Sequence, residues 1–590
     1  MTDIRRTLLW VVFSMSLVLI WDAWNKHNGR PSLFGLSPPA VVQPAGTTPP
    51  TTPLTTSPNA SALPTPAAVP GVAAPANPAA VPGLAATSAT PAREQITVTT
   101  DLVKATFDSK GADIVRLELL KYGDHNDKNS NVVLFDQSSA RLYKAQTGLI
   151  AGKGGAPLPN HLTQMTVLPG KRELSDGSDM LEIKFESPEI GGAKLVKTFR
   201  FNRSNYVVAV RHEVINTSEA PIDPQLYLQL VRDGNAPAGE SSFYFTFTGP
   251  ALYTDAEKFH KVEFKSIEKF QPGDKPGYPT QADNGWVAMV QHYFASAWLL
   301  GASNDEKRAR EFYTRRVDAN QYSIGMIVPM ATLAPGATQT LDSRLFVGPQ
   351  EENRLSAMAP GLELVKDYGW FTILSKPLFW LLTQLHNLIG NWGWAIVGLV
   401  LILKAAFYWL NAKAYSSMAK MKAINPKVME MRERLKDKPQ QMQQEMMRIY
   451  REEKVNPLGG CLPIVAQMPF FIALYWVLLS SVEMRNAPWI LWITDLSAKD
   501  PFFILPLLMT LTSLFQTWLN PTPPDPMQAK MMWIMPLMFS VMFFVFPAGL
   551  VLYWLTNNIL SISQQYMINK RLGVVGEKKS LPAFLKFGKK

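Results

Sequence analysis

The sequence predicts a multi-domain membrane protein, in which a six-span α-helical bundle with a cytoplasmic helical hairpin is joined to a large all-β domain. Three observations predict this class. Long apolar runs gather after residue 370, with one more near the start of the 590-residue chain. Period-two alternation of apolar and polar residues marks roughly 93–348. The net charge of +11 falls largely in segments that flank apolar runs, which favours membrane orientation over nucleic-acid binding.

Residues 1–27 are predicted to form a signal anchor that is also the first span. Arg5 and Arg6 precede a nearly continuous apolar stretch that ends at Trp21, as in a secretory signal. No small-residue cleavage site follows, so we expect the segment to remain attached. Residues 28–92 are predicted to be a disordered linker, because 37–92 contains 14 prolines and no charged residue.

Residues 93–348 are predicted to fold as an all-β sandwich on the far side of the membrane from the N-terminus. Short alternating runs separated by turn clusters such as Asp176-Gly177 are typical of this class. The clearest runs are Ile96–Val98, Leu181–Phe185, Leu195–Phe201, Tyr206–Ile215, Gln225–Val231 and Tyr322–Val328. The chain has one cysteine, Cys461, so this domain must fold on its hydrophobic core without an intramolecular disulfide.

Residues 391–569 are predicted to be a membrane core with five further spans. Before it, 364–390 is too polar to span and is predicted to be an interfacial amphipathic helix. The predicted spans are Trp392–Leu410, Leu458–Val482, Phe502–Leu519, Met531–Phe546 and Ala548–Tyr566.

The distribution of cations predicts the orientation of these spans. The loop 411–456 has 11 Lys or Arg and 6 Asp or Glu, whereas 483–500 has two cations and three acids. The tail 570–590 has seven cations and one acid. The positive-inside rule therefore places both termini and the first of these loops in the cytoplasm, and the β domain outside.

Lys404 is the candidate site residue that hydropathy singles out. It lies roughly 18 Å from Trp392 and roughly 9 Å from Leu410 along the second span. A charge at this depth is a functional candidate, although a lysine stem can also extend to the nearer interface. The four later predicted spans and the one that carries Lys404 contain no Asp or Glu. This absence argues against an ion-coupled pump, because such pumps use intramembrane carboxylates as relays.

The loop 412–456 is predicted to be a cytoplasmic helical hairpin with its tip near Asp437. Apolar residues recur three and four apart along its first half, which is typical of one helix face. Methionines on this hairpin either hold its helices together or offer a pliable apolar surface to other proteins. The candidates for such capture are Met421, Met431, Met442 and Met446.

Several blocks of the C-terminal half resemble the YidC/Oxa/Alb family of membrane protein insertases. The blocks are GNWGWAIVGLVLILKAAFYWLNAK, VNPLGGCLPIVAQMPFFIALYWVLL, APWILWITDLSAKDP, DPMQAKMMWIMP and FPAGLVLYWL. The anchor, the linker and the β domain match the Gram-negative form of the family, whose periplasmic domain is a β-supersandwich.

The resemblance implies a hydrophilic groove that is open to the cytoplasm and to lipid. In the family this groove holds an arginine, and the motif places Lys404 at that position, which keeps the charge but not the guanidinium fork. By the same motif match, the apolar residues expected to line the groove are Phe471, Met509, Met542 and Trp554. Gln467 is expected to line it as well, as one of the polar side chains of the spans that could hold water.

The function implied by the resemblance is insertion, integration and folding of newly made inner-membrane proteins. We expect no enzymatic activity, no cofactor and no metal. The expected partners are nascent membrane proteins, the lipid bilayer, the Sec translocon with its accessory SecDF complex, and the ribosome through the basic tail and cytoplasmic loops. The alternative is a small-solute transporter or a membrane-anchored envelope-binding protein. We also expect the β domain to be dispensable for insertion itself.

Overall fold

A computed structural model describes residues 94–124, 127, 129–152, 155–237, 246–271, 273–301, 307–436, 438–453, 462–520 and 526–571. The predicted signal anchor, the linker, Asp437 at the hairpin tip and 572–590 of the basic tail lie outside these residues.

The region predicted to be all-β forms two nine-stranded antiparallel sheets. In chain order its strands are β1 (Gln95–Thr99), β2 (Val103–Asp108), β3 (Asp113–Gly123), β4 (Asn131–Gln137), β5 (Leu142–Ala151), β6 (Thr166–Val167), β7 (Met180–Glu186), β8 (Ala193–Asn202), β9 (Val207–Asn216), β10 (Pro224–Asp233), β11 (Gly249–Thr254), β12 (Lys258–Lys261), β13 (Gln281–Ala282), β14 (Trp286–Val290), β15 (Phe294–Leu300), β16 (Arg310–Asp318), β17 (Gln321–Pro329) and β18 (Thr338–Pro349). One sheet has the order β1-β2-β3-β4-β5-β10-β17-β16-β13, and the other β12-β11-β14-β15-β18-β9-β8-β7-β6.

A single hydrophobic core joins the two sheets, which confirms the predicted sandwich. All six alternating runs read from the sequence coincide with strands, and in β9 buried and half-buried positions alternate along the whole strand. By contrast, every residue of β11, β14 and β15 is buried. These strands have no polar face, so alternation along the sequence could not reveal them.

The described residues form ten α-helices. They are α1 (Phe264–Lys269), α2 (Glu352–Met358), α3 (Thr372–Ile389), α4 (Trp392–Ala406), α5 (Tyr408–Arg434), α6 (Pro439–Glu452), α7 (Leu462–Ser480), α8 (Ile504–Leu519), α9 (Pro526–Phe543) and α10 (Ala548–Arg571). Short 3-10 turns occupy Leu362–Val365, Gly369–Phe371 and Val482–Met484.

The helical part packs around a second hydrophobic core, to which α3, α4, α7 and α10 contribute. Among the described residues, no single helix has both the length and the apolarity to cross a bilayer unaided. The pair formed by α4 and the first part of α5, Tyr408–Met421, meets both conditions together and bends by 68°. The predicted second span therefore does not continue straight to Leu410, because the helix breaks at Phe407.

Helix α3 occupies most of the segment predicted to be interfacial. It buries Leu378, Phe379 and Leu382 in the helical core. On its other side Ile373 and Leu388 are 86% and 83% exposed. One apolar side therefore faces the protein while large apolar side chains are exposed on the other, and the interfacial position of this helix remains a prediction.

The β sandwich and the helical core touch at the end of α7. Val482, which follows this helix, is 1% exposed and packs in the core cluster of the sandwich. Arg485 donates a hydrogen bond to the carbonyl oxygen of Gly123 at 2.7 Å. The Nε2 atom of His292 donates to the carbonyl oxygen of Leu479 at 2.9 Å. Two neighbouring segments of the helical part are thus bonded directly to the sandwich.

Candidate functional site

Helix α4 fixes the position of Lys404. The side chain of Asn391 caps the start of this helix by accepting a hydrogen bond from the backbone N–H of Trp394 at 3.1 Å. Ile396 and Leu399, both 1% exposed, anchor the helix in the core. Lys404 lies in the last turn, where the carbonyl end of the helix dipole favours a cation.

The ammonium of Lys404 points at α10, where Nζ donates a hydrogen bond to Oγ of Ser561 at 2.7 Å. The lysine is half-buried and the serine is 5% exposed. Neither helix contains an Asp or Glu. The charge is therefore held by a neutral hydroxyl and remains available to an external anion.

An open cleft of about 310 Å³, a volume that includes solvent at its mouth, lies beside Lys404. Helices α4, α7 and α10 and the break at Phe407 surround it. Its lining is Val400, Leu403, Lys404, Phe407, Gln467, Phe470, Phe471, Tyr553 and Asn557. The cleft thus combines one ammonium and two amides with apolar and aromatic walls.

A second hydrogen bond links a residue of the cleft lining to α5. Gln467 donates from Nε2 to Oδ1 of Asn411 at 2.6 Å. Asn411 is 5% exposed and lies seven residues after Lys404, beyond the break at Phe407. Polar groups therefore continue from Lys404 towards the predicted cytoplasmic hairpin.

The structure brings together three of the residues predicted to form the groove: Lys404, Gln467 and Phe471. The other three lie outside the lining of this cleft. Met509 is 8% exposed, with its sulfur 4.0 Å from Nδ2 of Asn558. Trp554 and Met542 pack against the helical core instead. A role for these three in contacting substrates remains a prediction.

Sequence reasoning did not single out Asn411 and Tyr553, or Asn557 beyond its polarity. A signal was present, because Tyr553, Asn557 and Ser561 are spaced four residues apart and share one face of α10. Asn411 was overlooked because the predicted span ended at Leu410, one residue before it.

The four methionines predicted to capture substrates lie on the less exposed side of the hairpin. Met431 is 4% exposed, and Met421, Met442 and Met446 are half-buried. Two ion pairs join α5 to α6 besides these apolar contacts: Lys427 with Glu453, and Arg434 with Glu445. The methionines that the hairpin exposes are Met429 and Met447, both 51% accessible.

The described residues contain no group of three or more His, Cys, Asp or Glu arranged to hold a metal ion. The chemistry that the cleft offers is electrostatic and apolar. Its ammonium attracts acidic side chains, its amides bond to water or peptide groups, and its aromatic walls accept apolar segments.

Two family models match this chain and together account for nearly all of the described residues. One, described as the YidC periplasmic domain, matches residues 95–381. The other, described as 60Kd inner membrane protein, matches residues 384–574.

Curated relatives match over almost the whole chain. The membrane protein insertase YidC of Cupriavidus necator is 53% identical over 574 residues, which are 97% of this chain and 98% of that protein. The protein of the same name from Cupriavidus taiwanensis is 54% identical with the same coverage. Among solved structures, an active YidC insertase with its first transmembrane domain resolved is 20% identical with a TM-score of 0.38. That match covers 81% of this chain and 93% of the other.

Proposed function

This chain belongs to the YidC family of membrane protein insertases, as its motifs predicted, and we propose that it inserts, integrates and helps to fold newly made proteins in the bacterial inner membrane. Its β sandwich is the periplasmic domain of the family. The proposal assigns it no catalytic reaction, cofactor or metal.

The observation that carries the proposal is the Lys404 ammonium beside a cleft whose helices have no carboxylate. An ammonium in such a site stays charged only if water or polar groups solvate it. Water held there shortens the hydrocarbon barrier that a translocated segment must cross. Acidic residues on that segment are drawn to the ammonium, while its apolar span leaves along the lipid-facing side.

Energy for the transfer comes from partitioning of the substrate's apolar span into lipid. Burial of apolar surface releases roughly 25 cal/mol per Å². The membrane potential adds or subtracts about 2.3 kcal/mol per charge per 100 mV.

The proposed topology has six spans, with both termini and the hairpin 412–456 in the cytoplasm. The cation counts of the loops support it. Further support comes from large apolar side chains left exposed on neighbouring helices. On α8 they are Leu507, Leu508, Leu511 and Phe515, and on α9 they are Ile534, Met535, Leu537, Met538, Phe539 and Val541. Such uncovered surface suits a lipid environment.

The proposed partners are nascent membrane proteins, received by the hairpin and passed to the cleft. Helix α5 leads directly from the hairpin to the break at Phe407, so a captured chain arrives beside Lys404. Cooperation with the Sec translocon and SecDF, and contact of the basic tail with the ribosome, complete the proposal.

Depletion of the protein in living cells tests the function. Failure of many small membrane proteins to insert is expected, whereas loss of one solute's uptake would instead establish a transporter.

Photocrosslinkers at Gln467 and Phe471 are expected to capture nascent chains. A crosslinker at Ile559, which is exposed on α10 but absent from the cleft lining, serves as the control.

A further inference from the structure

We propose that Ser561 is a positioning residue that sets the depth at which the Lys404 ammonium lies in the membrane. The inference rests on the proposed function, because it specifies how the groove charge is held. Ser561 would touch the lysine rather than the substrate and would act on insertion only through that lysine.

Ser561 makes hydrogen-bond contacts with Lys404, with the backbone of Asn557 and with the side chain of Tyr415. Its hydroxyl donates to the backbone carbonyl oxygen of Asn557, one turn earlier on α10, at 2.7 Å. A serine hydroxyl has one hydrogen and two acceptor sites. Since the hydrogen is already used, the oxygen presents lone pairs to the ammonium 2.7 Å away.

The bond to Asn557 also fixes the direction of the hydroxyl. A free serine rotates among three staggered positions, but a hydroxyl bonded to the carbonyl four residues earlier is held in one of them. Ser561 is only 5% exposed, so water offers little competition for the oxygen. The acceptor is therefore in place before the ammonium arrives.

Lysine needs such an acceptor more than arginine does. Its ammonium is carried on four rotatable bonds and lacks the planar, pre-organised fork of a guanidinium. Lys404 lies two residues before the end of α4, where the helix breaks at Phe407, so its flexible stem can extend past this end. Without the hydroxyl, the ammonium would extend towards the cytoplasmic interface and leave the cleft.

The experiment measures the reactivity of Lys404 in the full-length protein in inverted membrane vesicles, with a water-soluble, membrane-impermeant amine-reactive ester. Mass spectrometry of the peptide that contains Lys404 gives the labelling rate. In Ser561→Ala the rate is expected to rise about tenfold, as when one hydrogen bond to a charged group is lost. Ser561→Thr keeps the hydroxyl and is expected to restore the wild-type rate.

Ser563 provides a matched control on the same helix. Its hydroxyl donates to the carbonyl oxygen of Ile559 at 2.9 Å, with the same four-residue spacing, but it is exposed and has no contact with Lys404 in the described structure. Ser563→Ala is expected to leave labelling unchanged. An equal rise in both alanine variants would overturn the proposal, since it would indicate general loosening of α10. An unchanged rate in Ser561→Ala would overturn it as well.

Insertion assays distinguish a failure of the Ser561 positioning role from a failure of the proposed insertase function. Ser561→Ala is expected to slow insertion of a substrate with an acidic translocated segment and to spare the same substrate with neutral replacements. If Lys404→Ala leaves insertion of both substrates intact, the proposed groove function fails, whatever the labelling shows. If Lys404→Ala impairs insertion of the acidic substrate but Ser561→Ala does not, only the positioning role fails.

Discussion

Lys404 holds its charge in a setting that offers hydroxyl and amide groups but no carboxylate. The cost of a charge at this depth is several kcal/mol even by lenient measures, and solvation by Ser561 and water offsets part of it. A carboxylate partner would have neutralised the site. The neutral partner leaves an electrostatic field in the cleft that an incoming acidic residue can use.

The charge of Lys404, rather than the shape of its side chain, is expected to be needed. Lys404→Arg should retain insertion, because the cation persists. Lys404→Ala should slow insertion of substrates with acidic translocated segments by roughly threefold to tenfold, which corresponds to about 0.7–1.4 kcal/mol. Insertion rates in proteoliposomes check this. Equal activity of the alanine variant on all such substrates would refute a role for the charge.

Among single residues, the sequence identifies as site candidates those whose chemistry differs from that of their neighbours. Lys404 is the one ionisable residue within an apolar run, so hydropathy is enough to find it. Ser561 is an ordinary helix residue, and its role depends on how α10 is rotated towards α4. Spacing along one helix fixes which residues share a face, but not which neighbour that face meets.

In the hairpin formed by α5 and α6, some methionines are buried and others are exposed to solvent. Met431 is only 4% exposed, whereas Met429 and Met447 are each 51% exposed. The three- and four-residue spacing predicted an apolar face and left open whether its methionines hold the hairpin together or receive substrates. Because a packed methionine has little surface left to offer, the two exposed ones are now the better candidates for capture.

Replacing the exposed methionines is expected to separate capture from stability. Met429→Ser with Met447→Ser should lower crosslinking of nascent chains to the hairpin while leaving its resistance to proteolysis unchanged. Met431→Ala should instead weaken the hairpin by about 2 kcal/mol or more.

Shortening the hairpin around 425–450 should lower the crosslinking of nascent chains more than it lowers the abundance of the protein. A parallel loss of both in the shortened protein would show that the hairpin is only structural.

The β sandwich contains buried histidines that make its stability depend on pH. Burial, and second to it the neighbouring Lys197 ammonium, lower the pKa of His212 to about 3. Burial, with Lys144, Lys197 and Lys110 nearby, likewise lowers the pKa of His161 to about 3. Both rings stay neutral in the folded protein, with His212 Nε2 3.0 Å from the Thr147 hydroxyl.

Acid is therefore expected to destabilise the sandwich between about pH 6.5 and pH 3. In the unfolded chain these histidines take up protons below about pH 6.5, so the unfolded state binds more protons in that window. Each histidine removes about 1.4 kcal/mol of unfolding free energy per pH unit. Asp113 has the opposite effect on stability, because burial raises the pKa of its carboxyl to about 6 in the folded protein. Below that pH the folded state takes up a proton more readily than the unfolded chain, which stabilises the fold. Pulse proteolysis in urea should show a shallower pH dependence for His212→Gln, and an unchanged slope would contradict this.

For the whole molecule, the contacts at the end of α7 qualify the expectation that the β sandwich is dispensable. The linker suggested a domain free of the helices, yet Val482 lies in the core of the sandwich and Arg485 is bonded to β3. These residues are in a short segment with no repeating pattern, so periodicity could not predict the contact. Family motifs and hydropathy predicted each domain separately, whereas the contact between them depends on tertiary packing.

Deleting most of 93–340 while keeping α3 is still expected to leave insertion largely intact, because the cleft lining comes from the helical part. The deletion uncovers Val482, whose full burial is worth roughly 1.5–3 kcal/mol, so the thermal stability of the remaining helices should fall. Arg485→Ala in the full-length protein should lower stability to a smaller extent. Insertion assays and thermal unfolding of purified protein measure both effects. Complete loss of insertion, with the shortened protein still in the membrane, would contradict this.

The contact between the sandwich and α7 also determines how this helix can move. It has 19 residues and is therefore about 28 Å long. Its last turn is fastened to the sandwich through His292, whereas Gln467, which borders the cleft, lies near the other end. Gln467 is in turn bonded to Asn411 of α5, so α7 is held near both ends. A tilt of α7 that widens the cleft would therefore have to break the bond to Asn411, while the end bonded to the sandwich stays in place.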